Sequence, residues 1–134
     1  MKKTILFSFL LLSCSLFYGQ GSSNLGFNQV LNYDYSVSRS GSHFHNVGTL
    51  TIGSNKVWKI TSGSAYYKDN GIPYEYYSTI KVGEHIVFSN YSNIQKLTPI
   101  WLPSGTYSVY LKCSYGSADD INGSLSIVEF NIEN

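Results

Sequence analysis

The feature that most constrains the fold is an alternation of apolar and polar residues with a period of two, which recurs along most of the chain. The clearest example is residues 106–115, which follow the turn-forming segment Pro103-Ser104-Gly105. Successive side chains of a β-strand point to opposite faces, so this pattern predicts a half-buried strand. Its apolar face consists of Tyr107, Val109, Leu111, Cys113 and Tyr115.

Two further strands are predicted near the ends of the β-rich part of the chain. The first has an apolar face made of Leu31, Tyr33, Tyr35 and Val37. The last covers residues 121–132, in which Leu125 and Ile127 lie on one face but Val128, Phe130 and Ile132 lie on the other. That change of phase predicts either a β-bulge or a strand that is buried on both sides.

Short turn sequences predict two hairpins. Residues 47–52 and 56–61 flank Gly53-Ser54-Asn55, and residues 80–82 and 85–88 flank Gly83-Glu84. Both turns have the length and composition that join neighbouring antiparallel strands.

About eight short strands without a persuasive amphipathic helix predict an all-β chain that forms a single antiparallel β-sandwich, jelly-roll-like in topology. An immunoglobulin-like sandwich is the alternative. True immunoglobulin domains carry a cysteine pair around a core tryptophan, and this sequence lacks that pair.

The N-terminus has the pattern of a signal peptide. Lys2 and Lys3 precede an apolar run over residues 4–12, which is shorter than the roughly 20 residues that a membrane span needs. We expect cleavage after Gly19, which divides the chain into a signal peptide (1–19) and a β-sandwich domain (20–134). The alternative is a lipoprotein anchored through Cys14, but apolar residues continue beyond that cysteine. Either route predicts a secreted or cell-surface protein with no membrane span.

The charge and the cysteine content limit the classes of partner and the kinds of cross-link that we expect. Removal of Lys2 and Lys3 leaves seven of the nine basic residues against eight acidic ones. A nearly neutral domain has no electrostatic footprint for nucleic acid. Cys113 would then be the sole cysteine of the exported chain, so we expect a buried, inert thiol and no internal disulfide.

Three segments resemble small secreted β-sandwich proteins of Gram-negative bacteria. They are Lys56-Val57-Trp58-Lys59-Ile60, residues 99–107 and residues 127–132. The resemblance covers most of the exported chain and implies a fold and a compartment. It transfers no activity, because these segments have the character of core strands and turns.

Sites for metals and catalysis are weakly supported. His43 and His45 would share one strand face, but His85 is distant in sequence and no third ligand is indicated. The acidic segment at residues 119–123 lacks the spacing of a calcium loop and is more typical of a turn. No serine lies in a nucleophile elbow. We therefore expect no catalytic residues, no metal and no cofactor.

Tyrosines provide the most unusual feature. Five of them fall within twelve residues on either side of the turn at residues 69–73. Adjacent strand residues point to opposite faces, so some of these rings must be exposed. The predicted ligand-binding residues are Tyr66, Tyr67, Tyr74, Glu75, Tyr76 and Tyr77. The alternative is an edge hairpin in which tyrosine serves β-propensity alone. Trp58 and Trp101 are expected in the core.

These features favour a secreted or cell-surface, non-catalytic binding module that recognises carbohydrate or another surface polymer. Exposed tyrosines would stack on sugar rings, and Glu75 and Asn70 would supply polar contacts. The alternative is a structural subunit of a surface oligomer or fibre, in which the tyrosines are buried between protomers. A small secreted enzyme is the third hypothesis.

Overall fold

A computed structural model describes residues 24–38, 42–90, 98–116 and 118–133. The predicted signal peptide, including Cys14, lies outside these ranges. Within them, no helix is long and apolar enough to cross a membrane. The strands are β1 (Asn24–Ser38), β2 (His45–Ile52), β3 (Lys56–Asp69), β4 (Ile72–Tyr74), β5 (Ser78–Val82), β6 (His85–Ser89), β7 (Ile100–Leu102), β8 (Gly105–Cys113) and β9 (Asp120–Glu133).

Two antiparallel sheets pack against each other, which confirms the predicted all-β sandwich. Sheet A has the order β1-β9-β3-β4, and β7 also pairs with β3. Sheet B has the order β2-β8-β5-β6. The apolar faces of the two sheets meet in one core, as period-two alternation requires.

The order of the strands is that of a jelly roll. With the three-residue β4 set aside, sheet A contains the first, eighth, third and sixth strands, and sheet B contains the second, seventh, fourth and fifth. The chain therefore crosses repeatedly from one sheet to the other. An immunoglobulin domain instead places its first two strands in the same sheet, whereas β1 and β2 lie in opposite sheets here.

One of the two predicted hairpins is correct. β5 and β6 pair directly, and Val82 lies opposite His85 across the turn at Gly83. The other hairpin prediction is wrong, because β2 pairs with β8 while β3 pairs with β9. The turn at residues 53–55 still forms, since the Lys56 amide donates to the Gly53 carbonyl at 3.1 Å. It carries the chain between sheets, a step that the local turn sequence does not distinguish from a hairpin.

Inward-facing side chains occupy the predicted positions on β8. Val109, Leu111 and Cys113 are fully buried. Trp58 is also buried, but the prediction of a core position for Trp101 is wrong, because this side chain is 46 % exposed. On the short strand β7, Leu102 takes the inward position, so alternation turns Trp101 outward.

β9 keeps one phase over its whole length. Its inward positions run from Ile121 through Leu125 and Ile127 to Glu129, and all four are buried. The irregularities lie in its neighbours, β1 and β3, whose pairing with β9 shifts register. The apolar residues Val128, Phe130 and Ile132 are therefore on the outer face of sheet A. The inward position between Val128 and Phe130 is taken by the carboxylate of Glu129.

Glu129 is a buried carboxylate with four donors. Trp58 Nε1 donates to its Oε2 at 2.7 Å, and Lys56 Nζ lies 2.7 Å from its Oε1. The other two donors are side-chain amides on β1, next to its register shift. Gln29 Nε2 donates to Oε1 at 2.9 Å, and the Asn28 side chain donates to the same atom. The carboxylate thus joins β1, β3 and β9 at one end of sheet A.

These contacts also control ionisation. Burial of Glu129 raises its pKa, but the hydrogen bonds from Lys56, Trp58, Gln29 and Asn28 outweigh burial and lower the pKa from 4.5 to about 2. A carboxyl group with a depressed folded-state pKa stabilises the fold above its unfolded pKa. That stabilisation is lost as the pH falls from the unfolded value toward about 2.

Replacement of Glu129 should therefore remove part of the acid sensitivity of the fold. In the wild-type protein, the ionised Glu129 should account for about 3 kcal/mol of the free energy of unfolding that disappears between pH 5 and pH 2. Glu129→Gln should lack this loss, although it should be less stable at neutral pH. Denaturant unfolding at a series of pH values measures both effects.

The matched control is Glu84→Gln, since Glu84 pairs with Lys81 at 3.2 Å but its side chain is 93 % exposed. This control should leave the pH dependence almost unchanged. Equal acid sensitivity in Glu129→Gln and the wild-type protein would contradict the buried network.

Close packing of the two sheets depends on a glycine in β9. A Cβ atom at Gly123 would lie 2.5 Å from Leu111 Cδ2 and 3.2 Å from Ile80 Cδ1. The side chains of Leu111 and Ile80 are fully buried. Gly123→Val should lower the free energy of unfolding by about 2 kcal/mol, because a filled core resists additional volume. Gly116→Val is the control, since no atom lies within 4 Å of a Cβ there. Similar losses in the two variants would contradict this account.

Candidate functional site

The outer face of sheet A is polar over half of its length. Strand register places residues of β1, β9 and β3 side by side in four rows on this face. We call these residues the polar half. They are Asn32, Ser126 and Ser62, then Asp34, Ser124 and Ser64, then Ser36, Asn122 and Tyr66, and finally Ser38, Asp120 and Lys68.

Tyr66 separates two depressions in this surface. One, of about 360 Å³, is lined by Tyr66, Lys68, Pro73 and Glu75 at the β3–β4 edge. The other, of about 220 Å³, lies toward β9 and β1 on the opposite side of the ring. Its lining consists of Asp34, Tyr35, Ser64, Tyr66, Asn122, Gly123 and Ser124. Together the depressions form a shallow groove across the strands with one aromatic ring between its halves.

Small hydroxyl and amide groups form the floor of this groove. The hydroxyls of Ser64 and Ser124 lie 2.8 Å apart and share a hydrogen bond. In the neighbouring row, the Ser126 hydroxyl donates to the Asn32 side-chain oxygen. Nδ2 of Asn122 has no hydrogen-bond partner among the described residues, although it is hidden from solvent. The groove therefore offers both donors and acceptors on a rigid sheet.

Charges in the lining have mixed sign. Asp34 lies in the smaller depression, and Lys68 and Glu75 lie in the larger one. Two carboxylates against one ammonium group do not form a basic patch of the kind that binds polyanions. Such a lining suits a ligand that is uncharged and rich in hydroxyl groups.

The six residues predicted to bind ligand are divided between two surfaces. Tyr66 and Glu75 line the groove on the outer face. Tyr67 is only 5 % exposed and faces the core, because the next residue along β3 must point the opposite way. Its prediction as a contact residue does not agree with this burial, so we exclude Tyr67 from the candidate site.

Tyr67 instead belongs to a stack of four rings that covers one end of the sandwich. Its ring centroid lies 5.3 Å from that of Tyr74 and 5.1 Å from that of Tyr115. Tyr115 continues the stack to Tyr77 at 6.5 Å. Burial is the largest cause of the raised pKa of Tyr67, to which Tyr115, Cys113, Tyr74 and Asp69 add. The stack links the β4 edge of sheet A to strand ends of sheet B.

Tyr76 and Tyr77 are the most accessible rings of the predicted set. Tyr76 is 65 % exposed and Tyr77 is 46 % exposed. Tyr77 adopts a left-handed backbone with φ of 59°. Its amide donates to the Asn90 carbonyl at 3.3 Å, and its carbonyl accepts from the Ser114 amide at 3.0 Å. Two backbone hydrogen bonds thus hold a conformation that is unusual for a tyrosine.

The remaining sequence candidates lie away from the groove or have structural partners. The rings of His43 and His45 are 4.2 Å apart, but the described residues contain no group of three or more potential metal ligands. Asp119 accepts a hydrogen bond from the Asn70 amide at 2.8 Å and so supports the turn after β3. Burial raises the pKa of the Cys113 thiol, which favours its unreactive form.

Several groove residues were missed by the sequence interpretation. Asp34, Ser64, Asn122 and Ser124 come from three strands that are distant in sequence. Only the pairing of β9 with both β1 and β3 brings them together. The available signal was the run of small polar residues on the outward positions of these strands, which by itself is also typical of a solvated face.

No protein family, curated protein or solved structure matched this chain. The case for a function therefore depends on the geometry and chemistry of the groove and of the tyrosine stack.

Alanine substitutions should separate the buried tyrosine from the accessible ones. Tyr67→Ala should lower the free energy of unfolding by about 3 kcal/mol or more, because it removes a buried ring that packs on two others. Tyr76→Ala should change stability by less than about 0.5 kcal/mol, since its ring is largely in solvent. Thermal and denaturant unfolding measure both. Equal effects would show that the division between stack and surface is wrong.

Proposed function

We propose that this domain is an exported, non-catalytic binding module that holds a carbohydrate chain, or another hydroxyl-rich surface polymer, in the groove on the polar half of sheet A. The observation that carries the proposal is the position of Tyr66, whose ring lines both depressions. A sugar unit stacked on this ring would place its neighbours in the two depressions. The groove would then accept an extended polymer rather than a single small molecule.

The chemistry of the lining supports this class of ligand. Aromatic rings bind the apolar faces of sugars, and hydroxyl, amide and carboxylate groups exchange hydrogen bonds with sugar hydroxyls. Ser64, Ser124 and Asp34 provide these groups on one side of Tyr66, and Glu75 provides them on the other. The groove lies on paired strands, so little ordering of the protein would accompany binding.

Tyr74, Tyr76 and Tyr77 have a secondary place in this proposal. Their rings lie at the stacked end of the sandwich or in solvent beside it. A long polymer that leaves the groove past Glu75 would meet them next along the chain. We therefore expect them to extend the contact surface but not to define it.

Binding of the purified protein to a broad glycan array, followed by calorimetry on any ligand found, tests the proposal. Tyr66→Ala should weaken binding at least about tenfold, since loss of one aromatic contact costs on the order of 1 kcal/mol or more. The control is Phe44→Ala, which removes an exposed ring that packs on Tyr110 of the other sheet, outside the groove, and should leave affinity unchanged. A Tyr76→Ala, Tyr77→Ala double variant should weaken binding less than Tyr66→Ala.

Two results would contradict the proposal. One is a folded wild-type protein that binds no glycan on the array. The other is binding that survives Tyr66→Ala but is lost in the Tyr76→Ala, Tyr77→Ala variant, which would move the site to the tyrosine end. Circular dichroism of each variant establishes that a loss of binding does not come from unfolding.

A further inference from the structure

The outer face of sheet A changes from polar to apolar at the row formed by Asn32, Ser126 and Ser62. Beyond this row the same strands continue with the same outward alternation, but their side chains are now hydrophobic. We call these residues the apolar half. They are Val30, Val128, Lys59 and Trp101 in one row, Phe27, Phe130 and Val57 in the next, and Leu25 and Ile132 in the last.

The side chains at the margins of the apolar half are highly exposed. Phe27 is 65 % exposed, Val30 is 56 %, and Leu25 is 47 %. Trp101, at the opposite margin, is 46 % exposed and packs on Phe130 with ring centroids 5.5 Å apart. A contiguous apolar surface of this kind is often a site of interaction.

Only one charge lies within this surface. Lys59 Nζ is positioned 5.2 Å from the centroid of the Trp101 ring. Glu129, on the opposite face of the sheet, is buried and already has four donors. A surface with so little charge lacks the means to select a strongly charged partner, but it has the composition of an interface between identical subunits.

We propose that the apolar half is an interface between two copies of this chain, which pack sheet A against sheet A. The four exposed side chains and their partly exposed neighbours present on the order of 500 Å² per copy, so a pair would bury on the order of 1,000 Å², the size at which specific interfaces begin. Sheet faces in proteins pack on one another at about 10 Å. An apolar sheet face can therefore pack against a second copy of itself.

The boundary at Asn32 also determines the orientation of the two copies. A two-fold axis that runs across the strands superposes the two apolar halves and directs the polar halves away in opposite directions. An axis along the strands would instead bury the polar rows against each other and strip water from the exposed side chains of Asp34 and Ser36 without new partners, which is costly. The first arrangement leaves both grooves open to solvent.

This interface differs from the one that the sequence suggested for a structural subunit. That hypothesis buried the exposed tyrosines between protomers, whereas the apolar half lies at the other end of β3, remote from Tyr74 and Tyr76 along the strand. Phe27 and Tyr76 are equally exposed, at 65 % each. They therefore form a matched pair of aromatic positions for an experiment.

Sedimentation equilibrium of the purified protein over a range of micromolar concentrations tests the proposal. The wild-type protein should dimerise reversibly. Phe27→Asp should raise the dimer dissociation constant at least about thirtyfold, since it places a charge in the contact on both copies. Tyr76→Asp should leave the dissociation constant within about twofold of the wild-type value. Val30→Lys provides a second interface variant with the same expected direction if circular dichroism shows that Phe27→Asp is misfolded.

Three outcomes would overturn the proposal. A wild-type protein that stays monomeric at the highest concentration would mean that another partner, a lipid surface or other residues of the chain cover the apolar half. A dimer that persists in both interface variants would place the contact elsewhere. Dissociation by Tyr76→Asp to the same extent as by Phe27→Asp would favour the tyrosine end or a general effect of added charge.

Discussion

The hydrogen-bonded carboxylate of Glu129 is the interaction on which the arrangement of sheet A most depends. It takes an inward position on β9 where the pattern of the strand would otherwise place an apolar residue, and it binds donors from β1 and β3 at once. A buried charge is costly unless it is fully paired, so these strands are held in one register at this end. These contacts reinforce the register in which Gln29 and Trp58 lie opposite Glu129.

The same strands thus supply two different surfaces on one face of a sheet. The inward alternation is nearly unchanged from end to end, because both surfaces share a single core. Only the outward positions change character, from serine, asparagine and aspartate to valine, phenylalanine and tryptophan. A dimer formed through the apolar half would present two outward-facing grooves, and two linked sites on a polymer bind more tightly than either alone. Association and ligand binding would then support each other without any conformational change.

Much of this fold could be predicted from the sequence, because period-two alternation reports which side chains face the core. It identified the inward faces of β1 and β8, the β5–β6 hairpin and the jelly-roll class. The alternation failed where the pairing of a strand depends on another strand that is distant in sequence. The turn at residues 53–55 was assigned to a hairpin because its local chemistry does not specify which sheet the next strand joins. Trp101 was placed in the core because a three-residue strand gives too little alternation to assign a face.

The groove was only partly predicted, since Tyr66 and Glu75 were identified but their neighbours on β1 and β9 depend on register. Tyr67 was predicted to bind ligand, but its side chain is buried, because adjacent tyrosines on a strand point to opposite faces.

A map of backbone amide chemical shifts on isotopically labelled protein tests the central claim, that one sheet face is divided between ligand and second copy. Addition of a bound glycan should shift amides of the polar half, around residues 34, 64, 66, 122 and 124. Dilution should shift amides of the apolar half, around residues 25–30, 57–59 and 128–132. Both sets should meet at the row of Asn32, Ser126 and Ser62 without extensive overlap. Ligand-induced shifts centred on the apolar half, or dilution shifts centred on the groove or the tyrosine end, would contradict the account.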